Sequence, residues 1–360
     1  MIGSLVSLGP VLALASRVPA GVAYSKDRAR LLITMGMITM AVGNFLYSFA
    51  TDSLSFALVH TVTGFAYGGV TTLYMAFYVD SLPPDENRNH AMGYYVGSLA
   101  VGYSTGNFFA GYLADRFGYE ITFHVAALMS FVCPALIWFV GDSSKREIVK
   151  EKKPPAAKVG LRKSIQTVLE PNMAGVVIVA LFLNLLHQVG NVFLPLYGLS
   201  VGMTMTQVGV IRGFYSLCNA ITRPLSGLVV SHIGHKRLSH SGLPLQSGLM
   251  MLVPLFTDFG TLLAVYISAG FMRAVALVSN AVSLVQDVDE NKVQRGVASG
   301  IYNAAGDLGN ILGPGLGGLI ASVAGLTALF VIAPLGSTVL FLAAIWILKV
   351  KGKRHEQQKS

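Results

Sequence analysis

The chain has 360 residues, 53% hydrophobic and 12% charged, with a formal net charge of +9. Soluble domains carry about 25% charged residues. That shortfall, with the apolar residues gathered in long runs, excludes a soluble α-helical protein. The basic excess does not imply nucleic acid, because of where it sits along the chain.

Runs long enough for the roughly 20 apolar residues a bilayer core requires recur about eleven times. They lie near residues 2–23, 31–50, 54–79, 91–113, 121–141, 173–199, 205–230, 241–257, 261–286, 296–323 and 325–348. The first run meets its first charge only at Arg17. It lacks the basic leader of a signal peptide, so it reads as a retained membrane helix. The polar, net-basic stretch 142–172 reads as a cytosolic linker. It separates a five-span bundle over 1–141 from a six-span bundle over 173–348, which a basic tail, 349–360, follows. Lys and Arg concentrate in alternate loops: Lys26, Arg28 and Arg30; Arg88; 145–163; Lys236 and Arg237; Lys292 and Arg295; and the tail. The intervening loops hold only Arg116. By the positive-inside rule the basic loops and the C-terminus are cytosolic. The expectation is an all-α polytopic protein of the cell (plasma or inner) membrane, partnered by the lipid bilayer, monomeric, with no nucleic-acid role.

The chain also repeats itself at an offset of about 206 residues. Gly21 falls on Gly227, Arg17 on Arg223, Ser25 on Ser231 and Arg30 on Lys236. One residue further out, Arg88 falls on Arg295, Tyr95 on Tyr302, Gly102 on Gly309, Gly106 on Gly313 and Gly111 on Gly318. Two related apolar halves are the signature of a secondary transporter. The run 205–230 pairs with 2–23, which leaves 173–199 without a partner. Its counterpart would precede Met1, so either the chain starts late or a helix was lost.

Two loops carry a further pattern. One runs from Gly21 through Ser25 and Asp27 to Arg30; the other runs from Gly227 through Ser231 and Gly234 to Lys236. Both resemble the G-x-x-x-D-R-x-G-R-K loop of the major facilitator superfamily, with serine at the usual aspartate position. Asp115-Arg116-Phe117-Gly118 looks similar, but the charge bias puts it outside, so it reads as a decoy with a packing role. Gly309, Gly313, Pro314, Gly317 and Gly318 resemble the superfamily's G-x-x-x-G-P-x-x-G-G motif, which marks the fifth helix of antiporters; here it falls on the eleventh by family count. Its physical reading is a close helix contact with a bend. His60 occupies the place of a proton-relay arginine in drug–proton antiporters. A relay and a hydrogen-bonded structural histidine both fit. The resemblance implies a major-facilitator fold of about 11 helices, with a loop that locks the cytosolic side. Arg17 and Arg223 lie near the cytosolic helix ends, where they can snorkel, and read as structural or gating. The resemblance also implies a small-molecule substrate and protons as coupling ion.

Charge inside a membrane marks function by default. Arg273 and Asp307 each lie roughly 17–18 Å into their spans at 1.5 Å per residue. With Arg212 they come from three helices that line the family's cavity. We expect Arg273 and Asp307 to form or exchange an ion pair; a static pair holding two helices is the alternative. Asn184, His187, Gln188 and Asn191 recur at i, i+3, i+4, i+7 and make one polar face. Tyr95 and Tyr302, equivalent in the repeat, either contact substrate or pack. Cys133 and Cys218 lie inside apolar runs without metal-ligand spacing, and no Walker A loop or nucleophile–base pair is present. No enzyme activity, metal or cofactor is expected. The expected function is proton-coupled export of drug-like or metabolite compounds. Organic-anion uptake by symport and a non-transporting membrane protein are the alternatives.

Overall fold

The computed structural model describes residues 2–82, 88–139, 171–290 and 295–357. Among them every regular element is helical. The first half supplies α1 (Ile2–Ala23), α2 (Lys26–Tyr47), α3 (Ser53–Ser81) and α4 (Arg88–Phe139). The second supplies α5 (Pro171–Ser200), α6 (Met205–Ile233), α7 (His235–Met251), α8 (Phe259–Glu290) and α9 (Arg295–Gln357), with a single 3-10 turn at Val253–Leu255. The expected linker, 142–172, lies outside the described residues except for its last two, which open α5. The tail is helical as far as Gln357.

Two of these helices are broken, α4 at Gly118 (φ 83°, ψ 170°) and α9 at Gly325 (φ 87°, ψ 168°). That backbone region is essentially closed to residues with a Cβ. The breaks separate the runs 91–113 from 121–141 and 296–323 from 325–348, so the described residues hold eleven helical segments. The string ending at Gly118 marks the junction between two helices, and just upstream of it a Cβ on Gly111 would run into the Met205 carbonyl.

The first-half loop is shorter than the motif implied. α2 begins at Lys26, which places Asp27 and Arg30 inside the helix. Ser25 takes the N-cap position with extended φ and ψ. An acid in the first turn faces the positive end of the helix dipole, so Asp27 favours helix over loop. Lys236 likewise sits in the first turn of α7, just after Gly234, whose φ of 95° requires glycine.

The repeat is visible in three dimensions. Asp52 and Asp258, 206 residues apart, cap the starts of α3 and α8: each carboxylate accepts a backbone N–H three residues on, from Ser55 at 2.6 Å and Thr261 at 2.7 Å. A Cβ on Gly64 of α3 would sit 2.7 Å from the carbonyl oxygen of Gly9 on α1, and one on Gly270 of α8 2.7 Å from that of Tyr215 on α6. The same offset relates Gly9 to Tyr215 and Gly64 to Gly270.

The described contacts form two compact units, one of Met1–Leu99 with Tyr112–Ala156, the other of Ala100–Gly111 with Ala157–Ser360. Unlike a division into 1–141 and 173–348, this one assigns residues 100–111 to the second unit. Their backbone lies against α6: Ser104 Oγ donates to the Gly213 carbonyl at 2.9 Å, and a Cβ on Gly209 would sit 2.5 Å from the Asn107 oxygen.

In the second unit α5 is the central helix, with Val179, Leu183, Leu186, Val189 and Leu194 fully buried. The glycine stripe of α9 packs on it. A Cβ on Gly309 would run into the Leu181 carbonyl, one on Gly313 would sit 2.6 Å from the Leu185 carbonyl, and one on Gly317 2.6 Å from the Phe193 ring. At the repeat partners Gly102 and Gly106 a Cβ would meet no described atom of another segment within 4 Å. Among the described residues of the first unit the buried apolar side chains are few and mostly small: Ala13, Ala29, Ile33, Ala41, Ala66 and Leu73.

Candidate functional site

The polar face of α5 binds two arginines from two other helices. Arg273 of α8, 5% exposed, donates through Nη1 to the Leu183 carbonyl and through Nη2 to Asn184 Oδ1 at 2.9 Å. Asn184 in turn donates to the Ala180 carbonyl. Two turns further along α5, Arg212 of α6 donates through Nη2 to Asn191 Oδ1 at 2.6 Å, and Asn191 donates to Gln188 Oε1 at 3.2 Å. Between them, His187 Nδ1 lies 3.1 Å from the Tyr215 hydroxyl, and the two rings stack with centroids 5.6 Å apart. The i, i+3, i+4, i+7 spacing therefore becomes a ladder of carboxamide acceptors that holds guanidinium groups inside the bundle. Carboxamides supply hydrogen bonds without cancelling charge.

Both described bonds of Arg273 run to α5. Asp307 of α9 is half-buried and follows Gly306, whose Cβ position lies 3.0 Å from Asn184 Nδ2. The carboxylate thus belongs to the stretch of α9 that packs beside the Arg273 anchor.

A cavity of about 30 Å³ opens beside this ladder, lined by His187, Asn191, Arg212, Tyr215, Gln246 and Tyr266 among others. Sequence reasoning missed Tyr215, Gln246 and Tyr266. For Tyr266 the signal was available, since the offset that pairs Gly64 with Gly270 pairs His60 with Tyr266. Gln246 stood as a lone carboxamide in an apolar run. The first unit's hollow is larger, about 500 Å³, but it is walled by residues such as Leu12, Met35, Phe65 and Leu73 and by no ionisable side chain.

His60 sits in a different setting. Its Nδ1 lies 2.6 Å from the Tyr47 hydroxyl and its Nε2 3.3 Å from the Val6 carbonyl, and its ring stacks on Phe56. A carbonyl only accepts, so Nε2 carries the proton and Nδ1 accepts from Tyr47. The ring ties α1, α2 and α3 together. Tyr95 joins an aromatic group with Tyr74 and Tyr78, whereas Tyr302 packs against Met173, Val176 and Leu284. The repeat equivalence of these tyrosines is not an equivalence of surroundings.

Among the loop residues, Gly21 and Gly227 have open space at their Cβ positions. Ser231 Oγ lies 3.3 Å from His232 Nδ1, and Arg223 Nε is buried without a partner. The described tie across the end of α1 is the Tyr24 hydroxyl donating to Asp80 Oδ2 at 2.7 Å, while the Arg30 guanidinium lies over the Phe77 ring at 5.9 Å. Among the described residues no cluster of three or more His, Cys, Asp or Glu could hold a metal.

The family model described as the Major Facilitator Superfamily matches residues 1–288 and 176–360. An uncharacterised MFS-type transporter of Methanocaldococcus jannaschii is 20% identical over 325 residues, 90% of this chain and 83% of that protein. The quinolone resistance protein NorA of Staphylococcus aureus is 26% identical over 167 residues, 46% of this chain and 41% of NorA. In fold the chain is similar to the nucleoside transporter NupG, with a TM-score of 0.78 at 13% identity, covering 96% of this chain and 89% of that one. It is also similar to a bacterial homologue of the human lysosomal transporter Spinster in an inward-facing, unoccupied conformation, with a TM-score of 0.73 at 14% identity over 97% and 88% of the two chains.

Proposed function

The chain belongs to the Major Facilitator Superfamily, and from that premise we propose that it is a secondary carrier exporting drug-like or metabolite compounds in exchange for protons. Alternating access of two related bundles around a site near the midplane is the mode of action the repeat fits. The single observation that carries a solute-binding role is the ladder of Asn184, Gln188 and Asn191 holding Arg273 and Arg212 inside an apolar bundle. Buried guanidinium groups neutralised by no carboxylate in those bonds are costly to keep there unless they meet a ligand. The export direction rests on the likeness to a quinolone resistance protein. Asp307 is the proposed proton acceptor, and its exchange with Arg273 is the proposed coupling step. The test is transport in inverted membrane vesicles: an imposed proton gradient, acid inside, is expected to drive accumulation of a fluorescent lipophilic drug. Accumulation that ignores the gradient would remove proton coupling; none with any solute would remove the carrier reading.

A second reading, proton-coupled uptake of an organic anion, is favoured by the same two arginines. Accumulation of a carboxylate solute by right-side-out vesicles with acid outside would select it over export.

A further inference from the structure

We propose that the cavity between Arg212, Tyr266 and Gln246 binds a small monovalent anion, either a halide or the carboxylate group of an organic acid. Three buried polar atoms on residues that line this one space have no partner: Arg212 Nε, the Tyr266 hydroxyl and Gln246 Oε1. Tyr266 is 6% exposed and Gln246 1%. Buried polar groups are almost always hydrogen-bonded, so three orphans on one small cavity mark a missing ligand. The sign of that ligand follows from charge. Arg212 spends Nη2 on the neutral Asn191 carboxamide, and none of the residues lining the cavity is acidic. Arg212 is half-buried, with its Nε fully buried, and a guanidinium held against neutral groups needs a counter-charge.

Size and donor count narrow the class. One water needs about 10–15 Å³ of such space, so about 30 Å³ admits two or three heavy atoms. That suits a chloride ion or a carboxylate head and shuts out the body of a drug-sized molecule. Arg212 Nε–H and the Tyr266 hydroxyl are donors as they stand. Turning the Gln246 carboxamide by half a turn exchanges its oxygen for its NH₂ and supplies a third. Three donors on the walls of one small cavity without an acid suit an anion. The cavity lies wholly within the second unit. The carboxylate form of this inference rests on the carrier reading above; the halide form does not.

The test is equilibrium binding of radiolabelled chloride and of radiolabelled acetate to the purified full-length chain in detergent, with melting temperature as the folding control. Saturable binding of either probe is expected. Tyr266→Phe removes one oxygen and keeps the packing, and should weaken binding about tenfold, as loss of one hydrogen bond to a charged group does. Arg212→Gln should abolish it. Acetate binding alone assigns the site to a carboxylate head; chloride binding that a transported acid does not displace assigns it to a halide. No saturable binding of either anion, or binding unchanged in Tyr266→Phe, overturns the proposal. Anion binding without vesicle transport would leave the site standing and the carrier reading fallen; transport without anion binding would do the reverse.

Discussion

Asn184 shows what one side chain does for this fold: its Oδ1 accepts the Arg273 Nη2 proton deep in the second unit. Asn184→Leu keeps the volume and leaves that donor unsatisfied. Hydrogen bonds to charged groups contribute about 1.5–3 kcal/mol, so a clear fall in melting temperature is expected; an unchanged value would mean Arg273 finds another acceptor. The paired caps give a pH dependence. Asp52 and Asp258 both sit below the usual carboxylate range, chiefly because of their hydrogen bonds to Ser55 and Thr261. A depressed folded pKa gives stability that is present above the unfolded value and is lost as pH falls through the folded one. The double variant Asp52→Asn, Asp258→Asn keeps capping side chains that do not titrate. Its stability should therefore fall less steeply in acid than the parent's, as acid-dependent unfolding would register. Gly118→Ala and Gly325→Ala should each cost about 1–3 kcal/mol, because both backbones lie in a region nearly reserved for glycine. Equal melting temperatures would show that the breaks relax.

Between elements, glycine decides how closely helices approach. Gly309→Leu drives a branched side chain into the Leu181 carbonyl of α5, and overpacking of this kind costs typically 1–3 kcal/mol or more. Gly102→Leu, at the repeat partner, meets no described atom and should leave the melting temperature nearly unchanged. A comparable loss at both positions would mean that a helix packs on Gly102 in the membrane. The glycine series and its offset were legible in the sequence, because small residues at helical spacing announce close contact. Which member is in contact was not legible, since that depends on a neighbour from another part of the chain. The Asp-x-x-Ser and Asp-x-x-Thr caps at Asp52 and Asp258 could have been read from local chemistry. They would have fixed the starts of α3 and α8 within a residue.

At the scale of the whole molecule, the prediction concerns coupling. Asp307→Asn cannot exchange a proton, so solute transport by this variant should become insensitive to an imposed pH gradient while solute binding persists. Gradient-driven transport at the parent's rate would remove Asp307 from the coupling step. Composition and apolar run length were enough for the helical class and the eleven segments, because bilayer thickness and backbone hydrogen bonding leave a long apolar run few options other than a helix; the superfamily came from the resemblance of the loop and glycine motifs. The polar face of α5 was also plain, being a matter of helical period. Tertiary structure decided its partners: Asn184 holds Arg273 and Asn191 holds Arg212, while Tyr215, Tyr266 and Gln246 close the cavity beside them. Those side chains come from positions up to about 90 residues apart, and a local pattern carries no information about which helix will stand opposite. Period and hydropathy are properties of one segment, whereas a site is a property of several segments brought together.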